Sequence, residues 1–357
     1  MDQTRRAVVL TEFGDSGNLK LTDLPMPRLH HPDGLLVRVA ATSVNPIEWK
    51  MRQGLGIPKW LWRRAIGSPM VLGLDFSGEV VATGEDAGTF QPGDAVLGAL
   101  PFAGSYTTHL ALRIRSRRTA IVHKPAELAH AEAALVPFAG LVAYAGLMTY
   151  GNLTEPSPDA RVLIVGASGG VGHLAVQVAA NALHARLVAG VSSSRNEDFV
   201  RACGADIVIP HDRIAVRHIP EEFPDWARTF DLVFDCVGVD EYFTDLAPWL
   251  LKPSGRFVTA AVPSSRPGRP GEDVGLVEGG ALLCRLLWRR LTGGYRFIPG
   301  LVVGLPAKDG LPTIVRWITE GKLAPHTAST YRLEEIAAAH RESEKGRTVG
   351  KIAIDVP

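Results

Sequence analysis

The sequence predicts a two-domain α/β protein, a small barrel-like β domain joined to a doubly wound parallel sheet. Three observations carry this. Residues 1 to about 130 hold short β-like runs split by Gly and Pro, the mark of a small all-β unit. From about 134 to 304, helix-like and strand-like segments alternate instead, as in a parallel sheet with crossover helices. At the head of that region, Val162-Leu163-Ile164-Val165 run into a turn with glycine at 166, 169, 170 and 172, then into a helical pattern.

The elements follow in order. Ala7–Leu10, Leu35–Val39, Gly78–Ala82 and Ala95–Leu97 read as strands, and Gln91-Pro92-Gly93-Asp94 is a turn by composition. Ala131–Tyr150 reads as helix, Val162–Val165 as strand and Gly170–Leu183 as helix, with Leu174, Val178 and Ala182 on one face. Strands are expected at Leu187–Val191, Ile207–Ile209, Leu232–Asp235 and Arg256–Ala260, and helices at Glu197–Cys203 and Tyr242–Leu250. Residues 264–280 are a Pro/Gly/Ser-rich loop. Residues 281–291 form a basic amphipathic pattern, with Leu283, Leu287 and Leu291 on one face and Arg285 and Arg289 on another. Packing against the domain or a partner is the ordinary use of such a helix, and peripheral membrane contact is the alternative. A last helix, Leu333–Glu344, precedes a strand at Lys351–Val356 that returns to the first domain. The domains are therefore 1–133 with 305–357, and 134–304.

The chain has 357 residues, 46% hydrophobic and 21% charged, as in a globular protein of two ordinary domains. A net charge of +1 argues against broad nucleic-acid binding. Cys203, Cys236 and Cys284 are scattered singly, which supports neither a disulfide framework nor a cysteine-rich zinc lobe. No secretory signal or uninterrupted bilayer-length apolar run is evident, so a cytoplasmic location is expected.

The strand–glycine turn–helix order is the one that cradles a dinucleotide pyrophosphate. Glycines allow close backbone approach, and the helix start offers free N–H groups. The residues expected to do this are Gly166, Ser168, Gly169, Gly170, Val171 and Gly172. The spacing is G-x-x-G-x-x-G, not the familiar G-x-G-x-x-G. The sequel supports the assignment: the run Ala185–Val191 ends in Ser192-Ser193-Ser194-Arg195-Asn196, about 20 residues past the last glycine, where the ribose is read. There is no Asp or Glu from 185 to 196, whereas hydroxyls and Arg195 suit a 2′-phosphate. The expected cofactor is NADPH. Val237 and Gly238, and Ala260 and Ala261, follow further strands and should line the same crevice. Asp235 bonds a ribose or caps its own turn.

Four segments carry a family resemblance: Ala41–Lys50 (ATSVNPIEWK), Gly73–Val80 (GLDFSGEV), the glycine turn, and Gly346–Lys351 (GRTVGK). The chain resembles the medium-chain dehydrogenase/reductase superfamily over essentially its whole length. It is most similar to the zinc-free quinone oxidoreductase (zeta-crystallin-like) branch and the chloroplast-envelope quinone oxidoreductase homologues, through GGVGHLAVQVA and SRNEDFVRACGAD. The resemblance implies a GroES-like catalytic domain, a Rossmann cofactor domain, and NADPH-dependent hydride transfer to the C=C bond of an α,β-unsaturated carbonyl or to a quinone. Relatives are often homodimers. Zinc-dependent relatives carry a His–Glu pair where this chain has Leu74-Asp75, and a cysteine near Val44-Asn45. No metal is therefore expected.

By resemblance, Asn45 orients the substrate or the carboxamide of the nicotinamide; a cap at the strand end is the equal alternative. Lys50 bonds the ribose or the developing oxyanion, or is a solvated helix charge. Lys351 matches a basic position that reaches the cofactor in relatives; a surface lysine is the alternative. The tyrosine that some relatives carry soon after the Asn45 segment is missing from Gln53-Gly54-Leu55-Gly56, so the proton donor is unassigned. Trp49, Leu55, Trp60, Trp62, Trp288 and Phe297 wall an apolar pocket or are plain core. Two other functions stand beside the reductase: a trans-acting enoyl reductase of a secondary-metabolite pathway, and a non-catalytic NADPH-binding protein.

Overall fold

The computed structural model describes residues 4–55, 58–116, 119–261, 286, 288–291, 294–298 and 310–357. It divides into two compact units, Met1–Leu141 with Leu301–Thr319 and Pro325–Pro357, and Val142–Gly300 with Glu320–Ala324. The first boundary thus falls after Leu141 rather than after residue 133. The chain also re-enters the second unit at Glu320–Ala324, because the Gln177 carboxamide accepts the Ala324 N–H and donates to the Ala324 carbonyl, each at 2.9 Å.

The first unit holds a two-stranded and a seven-stranded sheet. Strands β1 (Thr4–Leu10) and β2 (Leu19–Pro25) form a hairpin. The main sheet takes β3 (Gly34–Val44), β4 (Asp75–Thr83), β5 (Ala95–Ala99), β6 (His109–Arg113) and β7 (Ala120–His123). β3 is its spine. Leu35, Val37, Val39 and Ala41 are all buried, and β3 pairs antiparallel with both β4 and β6. The loop between β4 and β5 closes as composition predicts, the Asp94 carboxylate accepting the Gln91 N–H at 2.8 Å. Helices α1 (Pro46–Gln53) and α2 (Lys59–Ile66) follow β3. α3 (His130–Ala133) and α4 (Pro137–Tyr144) lead toward the second unit, and a π-helical turn continues to Thr149. The run His130–Thr149 is long and apolar enough to cross a bilayer, contrary to the sequence expectation, but 72% of its most apolar window is buried inside the protein.

The second unit is a six-stranded, wholly parallel sheet. Its strands are β8 (Arg161–Val165), β9 (Leu187–Ser192), β10 (Ile207–Pro210), β11 (Phe230–Asp235), β12 (Leu251–Thr259) and β13 (Tyr295–Phe297). The order is β10-β9-β8-β11-β12-β13, with α5 (Gly172–Gln177), α6 (Glu197–Ala202), α7 (Ile219–Glu222) and α8 (Ala247–Leu250) as connecting helices. β8 lies in the middle. Val162 to Val165 are buried on both faces, which is why this strand reads as an unbroken apolar run. α5 is buried almost all round, from Gly172 to Gln177, rather than on one stripe.

The C-terminal segment returns to the first unit as expected. After α9 (Gly310–Thr319), β14 (Thr327–Arg332) and α10 (Ile336–Glu344), the last strand β15 (Lys351–Asp355) pairs antiparallel with β3, Ile352 facing Val44. The predicted loop 264–280 and Cys284 lie outside the described residues. Of the amphipathic segment 281–291, Leu286 packs against the core of the second unit and Arg289 makes a bidentate pair with Asp240. Leu291 is 83% exposed, so it does not pack as the leucine stripe implied.

Candidate active site

In the first unit, three chain-distant segments meet in a buried polar cluster: the β3–α1 junction, the start of β4 and the start of β15. Asp75 is fully buried. Its Oδ2 accepts from Ser43 Oγ at 2.6 Å, Asn45 Nδ2 at 2.9 Å and Lys351 Nζ at 3.2 Å. Its Oδ1 accepts the Phe138 N–H at 2.6 Å. Lys351 also donates to Asn45 Oδ1 at 2.5 Å. Lys351 is therefore a buried ammonium, 3% exposed, with two acceptors, and the surface-lysine alternative is excluded. Burial of an ion pair is sustained only when further hydrogen bonds support the partners, and here Asn45 supports Lys351 while Ser43, Asn45 and the Phe138 amide support Asp75.

Asn45 is the N-cap residue of α1, in extended backbone conformation. The Glu48 carboxylate accepts its N–H at 2.7 Å, the N3-to-cap half of a capping box. Glu48 is itself fully buried and accepts the Leu74 N–H at 2.8 Å and the Tyr106 hydroxyl at 2.6 Å. Burial pushes its carboxyl up to about 7, against the pull of those donors. Asn45 thus occupies the N-cap position without a capping bond from its own side chain, and its carboxamide is engaged on both ends, donating to Asp75 and accepting from Lys351. Sequence reading missed Glu48 and Tyr106; the N-P-x-E spacing at a helix start was the available signal for Glu48.

Lys50, on α1, is half-buried. Its ammonium lies over the Trp49 ring, 5.5 Å from the centroid, and has no hydrogen-bond partner among the described residues. Desolvation lowers its pKa. Of the aromatic candidates, Trp62 belongs to the core of the first unit and Phe297 packs on that of the second, whereas Trp60 and Trp288 are exposed.

In the second unit, the glycine turn joins β8 to α5. Gly166 has φ +80°, in the left-handed region where a side chain is strained, and a Cβ there would lie 2.7 Å from Val237 Cγ2. A Cβ on Gly172 would lie 2.0 Å from the Gly166 carbonyl oxygen. That glycine lets the helix start pack onto the end of the strand. Gly170 and Val171 are half-exposed, and their N–H groups have no acceptor among the described residues. Ser168, also half-exposed, accepts from Asn196 Nδ2 at 3.0 Å. These features fit a pyrophosphate against the turn.

The other predicted cofactor residues lie at the carboxyl ends of neighbouring strands: Ser192 after β9, Val237 and Gly238 after β11, and Ala260 after β12. Asp235 takes the capping alternative. Its carboxylate accepts from Val237 N, Gly238 N and Thr259 Oγ1, and burial pushes it up to about 6. In the serine loop, Arg195 is exposed with no hydrogen-bond or ion-pair partner among the described residues. Ser192 is buried and donates to the Ser193 carbonyl. Ser194 is a correction to the expectation of free hydroxyls. Its N–H and Oγ both donate to Asp212, at 2.8 and 2.6 Å. Asp212 comes from the loop after β10, outside the window in which an acid was sought.

Residues 31–142 match the alcohol dehydrogenase GroES-like domain, and residues 203–354 match the domain described as zinc-binding dehydrogenase. The chain is 32% identical to NAD(P)H oxidoreductase RTN4IP1, mitochondrial, of Homo sapiens, over 98% of this chain and 89% of that one. It is 30% identical to the trans-enoyl reductase pgmF of Aspergillus terreus (strain NIH 2624 / FGSC A1156), over 95% and 92%. The quinone oxidoreductase of Coxiella burnetii superposes with a TM-score of 0.79 at 26% identity, covering 99% of this chain and all of that one. The chain belongs to the medium-chain dehydrogenase/reductase superfamily. Within that superfamily it stands in the quinone oxidoreductase branch, with a GroES-like unit and a Rossmann-like unit. This medium-chain reductase is an NAD(P)H oxidoreductase and binds NADPH.

The described residues offer no set that fits the zinc implied by the description of one domain. Among the described residues, no three His, Cys, Asp or Glu side chains are grouped to hold a metal ion. Asp75 has its oxygens taken by four donors, one of them an ammonium.

Proposed function

We propose that this reductase transfers hydride to the C=C bond of an α,β-unsaturated carbonyl, or to a quinone, without zinc. The observation that carries the reading is the Asn45–Lys351–Asp75 cluster. Where zinc-dependent relatives carry a His–Glu pair, this chain has Leu74-Asp75, and the Asp75 carboxylate is held by a buried ammonium that also bonds the Asn45 carboxamide. A carboxylate so occupied is not free to hold a metal, so an acceptor whose charge develops on an oxygen needs a hydrogen-bond donor from elsewhere in place of a Lewis acid.

When bound, NADPH would supply the hydride for the β-carbon of the enone. The carbonyl oxygen then carries enolate charge until a proton reaches the α-carbon. The half-buried Lys50 ammonium, which has no hydrogen-bond partner among the described residues, is the donor we assign to that oxygen. Asn45 and Lys351 brace α1 and hold its first turn in place. The amides of Gly170 and Val171, without an acceptor among the described residues, would hold the pyrophosphate, and Arg195 and Ser193 would meet the 2′-phosphate.

The test is NADPH oxidation, followed by absorbance, on purified protein with and without EDTA, against short and long enones and quinones. Turnover unaffected by EDTA is expected, and loss of turnover that zinc restores would sink the metal-free reading. The Aspergillus relative motivates a second reading, reduction of carrier-bound enoyl intermediates. Turnover of an enoyl thioester on a carrier protein, with none of the free enones, would favour that reading.

A further inference from the structure

The loop after β9 holds a carboxylate that the local sequence does not contain. β10 runs parallel to β9 with Pro210 beside Ser192, and the His211 N–H donates to the Ser192 carbonyl at 2.9 Å. This register brings Asp212, two residues past the end of β10, against the serine loop. Its Oδ1 accepts the Ser194 N–H at 2.8 Å and its Oδ2 accepts the Ser194 hydroxyl at 2.6 Å. These two bonds favour the charged form and lower the carboxyl's pKa. The charged neighbour that also favours the carboxylate is His211, and Arg213, the next residue, lies 3.8 Å from Glu197.

The consequence is electrostatic. Ser194 offers one backbone and one hydroxyl donor, a pair suited to an anion, and the chain's own anion takes both. A 2′-phosphate bound by Ser193 and Arg195 would sit one residue away from that negative charge. A ribose 2′-hydroxyl is neutral, and it can donate to a carboxylate lone pair that Ser194 leaves open.

We propose that Asp212 sets the coenzyme selectivity of this reductase. It occupies the Ser194 donors and opposes the 2′-phosphate, so that the preference for NADPH over NADH is narrower than Arg195 and the serines alone would give. This rests on the reading of the serine loop as the 2′-phosphate site.

The experiment measures dissociation constants of NADP⁺ and NAD⁺ by tryptophan-fluorescence quenching. The proteins are the wild type, Asp212→Asn, Asp212→Ala and Arg195→Gln, each at low and high salt. Asp212→Asn keeps the shape and an acceptor for Ser194 while removing the charge. It is expected to tighten NADP⁺ about three- to tenfold, the size of one like charge removed several ångströms away at a protein surface, with NAD⁺ changed less than about twofold. The gain should shrink at high salt. An unchanged NADP⁺-to-NAD⁺ ratio in both Asp212 variants overturns the proposal, as does equal weakening of both coenzymes, which would make Asp212 only a loop brace. Arg195→Gln separates the two levels. If it weakens NADP⁺ selectively while the Asp212 variants leave the ratio alone, the 2′-phosphate site stands and the role of Asp212 falls. If Arg195→Gln leaves NADP⁺ binding unaltered, the assignment of the loop itself fails.

Discussion

Lys351→Met removes the ammonium from the buried cluster and leaves Asp75 with three neutral donors. At 3.2 Å, with an effective dielectric of about 20, the lost attraction is about 5 kcal/mol. Ser43, Asn45 and the Phe138 amide still serve the carboxylate, so the expected destabilisation lies at the low end of the range for breaking a buried pair, about 3 kcal/mol. Asp75→Asn added to Lys351→Met removes the orphaned charge and should recover much of the loss. The assay is urea unfolding followed by fluorescence, paired with hydrogen exchange of the β3 and β15 amides. Exchange localises the effect to the strands that Lys351 joins, which matters because two units need not unfold in one transition. A Lys351→Met midpoint equal to wild type would refute the reasoning, as would a double variant no more stable than the single one.

Gly172→Ala puts a methyl against the Gly166 carbonyl, so coenzyme affinity should fall more than about tenfold with about 1–3 kcal/mol of stability, read by titration calorimetry and thermal unfolding. Gly169→Ala is the contrast: its Cβ meets nothing nearer than 3.4 Å, so the melting temperature should hold while NADPH binding weakens. The Glu48 carboxyl is raised from about 4.5 to about 7, so the folded state holds its proton more tightly than the unfolded one. The stability linked to that proton is full below about pH 4.5 and is lost as pH rises through 7, about 3 kcal/mol in all. Glu48→Gln should flatten the stability profile between pH 5 and 7, and an unchanged slope in denaturant titrations would count against it. Lys50→Met should lower kcat for enones by about 10²-fold, the scale of one lost oxyanion donor, with NADPH affinity little changed; an unaltered kcat would remove Lys50 from the reaction.

The glycine turn and the strand ends of the second unit were legible because their signals are local. An apolar run, a glycine spacing and a helical period all lie within about 20 residues of one another. The closing strand itself was legible from the C-terminal pattern, whereas its pairing with β3 belongs to the fold. Asp212 was not, because which loop stands beside the serines depends on strand order, and β10 lies next to β9 only in the folded sheet. The burial of Lys351 was equally hidden. A lysine before a terminal strand is ordinarily solvated, and only the β15–β3 register brings it to Asp75. Asp235 was ambiguous in sequence because one carboxylate suits a ribose or a turn. Its two amide donors, from Val237 and Gly238, decide for the turn.

The cluster around Asp75 also explains why a discontinuous unit closes correctly. β15 is short, and Ile352, Ala353 and Ile354 are interchangeable apolar residues whose burial alone would tolerate a shifted pairing with β3. A slip of two residues would keep the same side chains facing inward. It would also carry the Lys351 ammonium about 7 Å along the strand, away from Asp75 and Asn45, leaving a buried charge without its partner. The pair therefore acts against the wrong register more than it adds to the right one. That register fixes Asn45, whose backbone anchors the first turn of α1, and α1 carries Lys50. The last strand of the chain thus sets the position of the helix that bears the proposed oxyanion donor, 301 residues earlier in sequence.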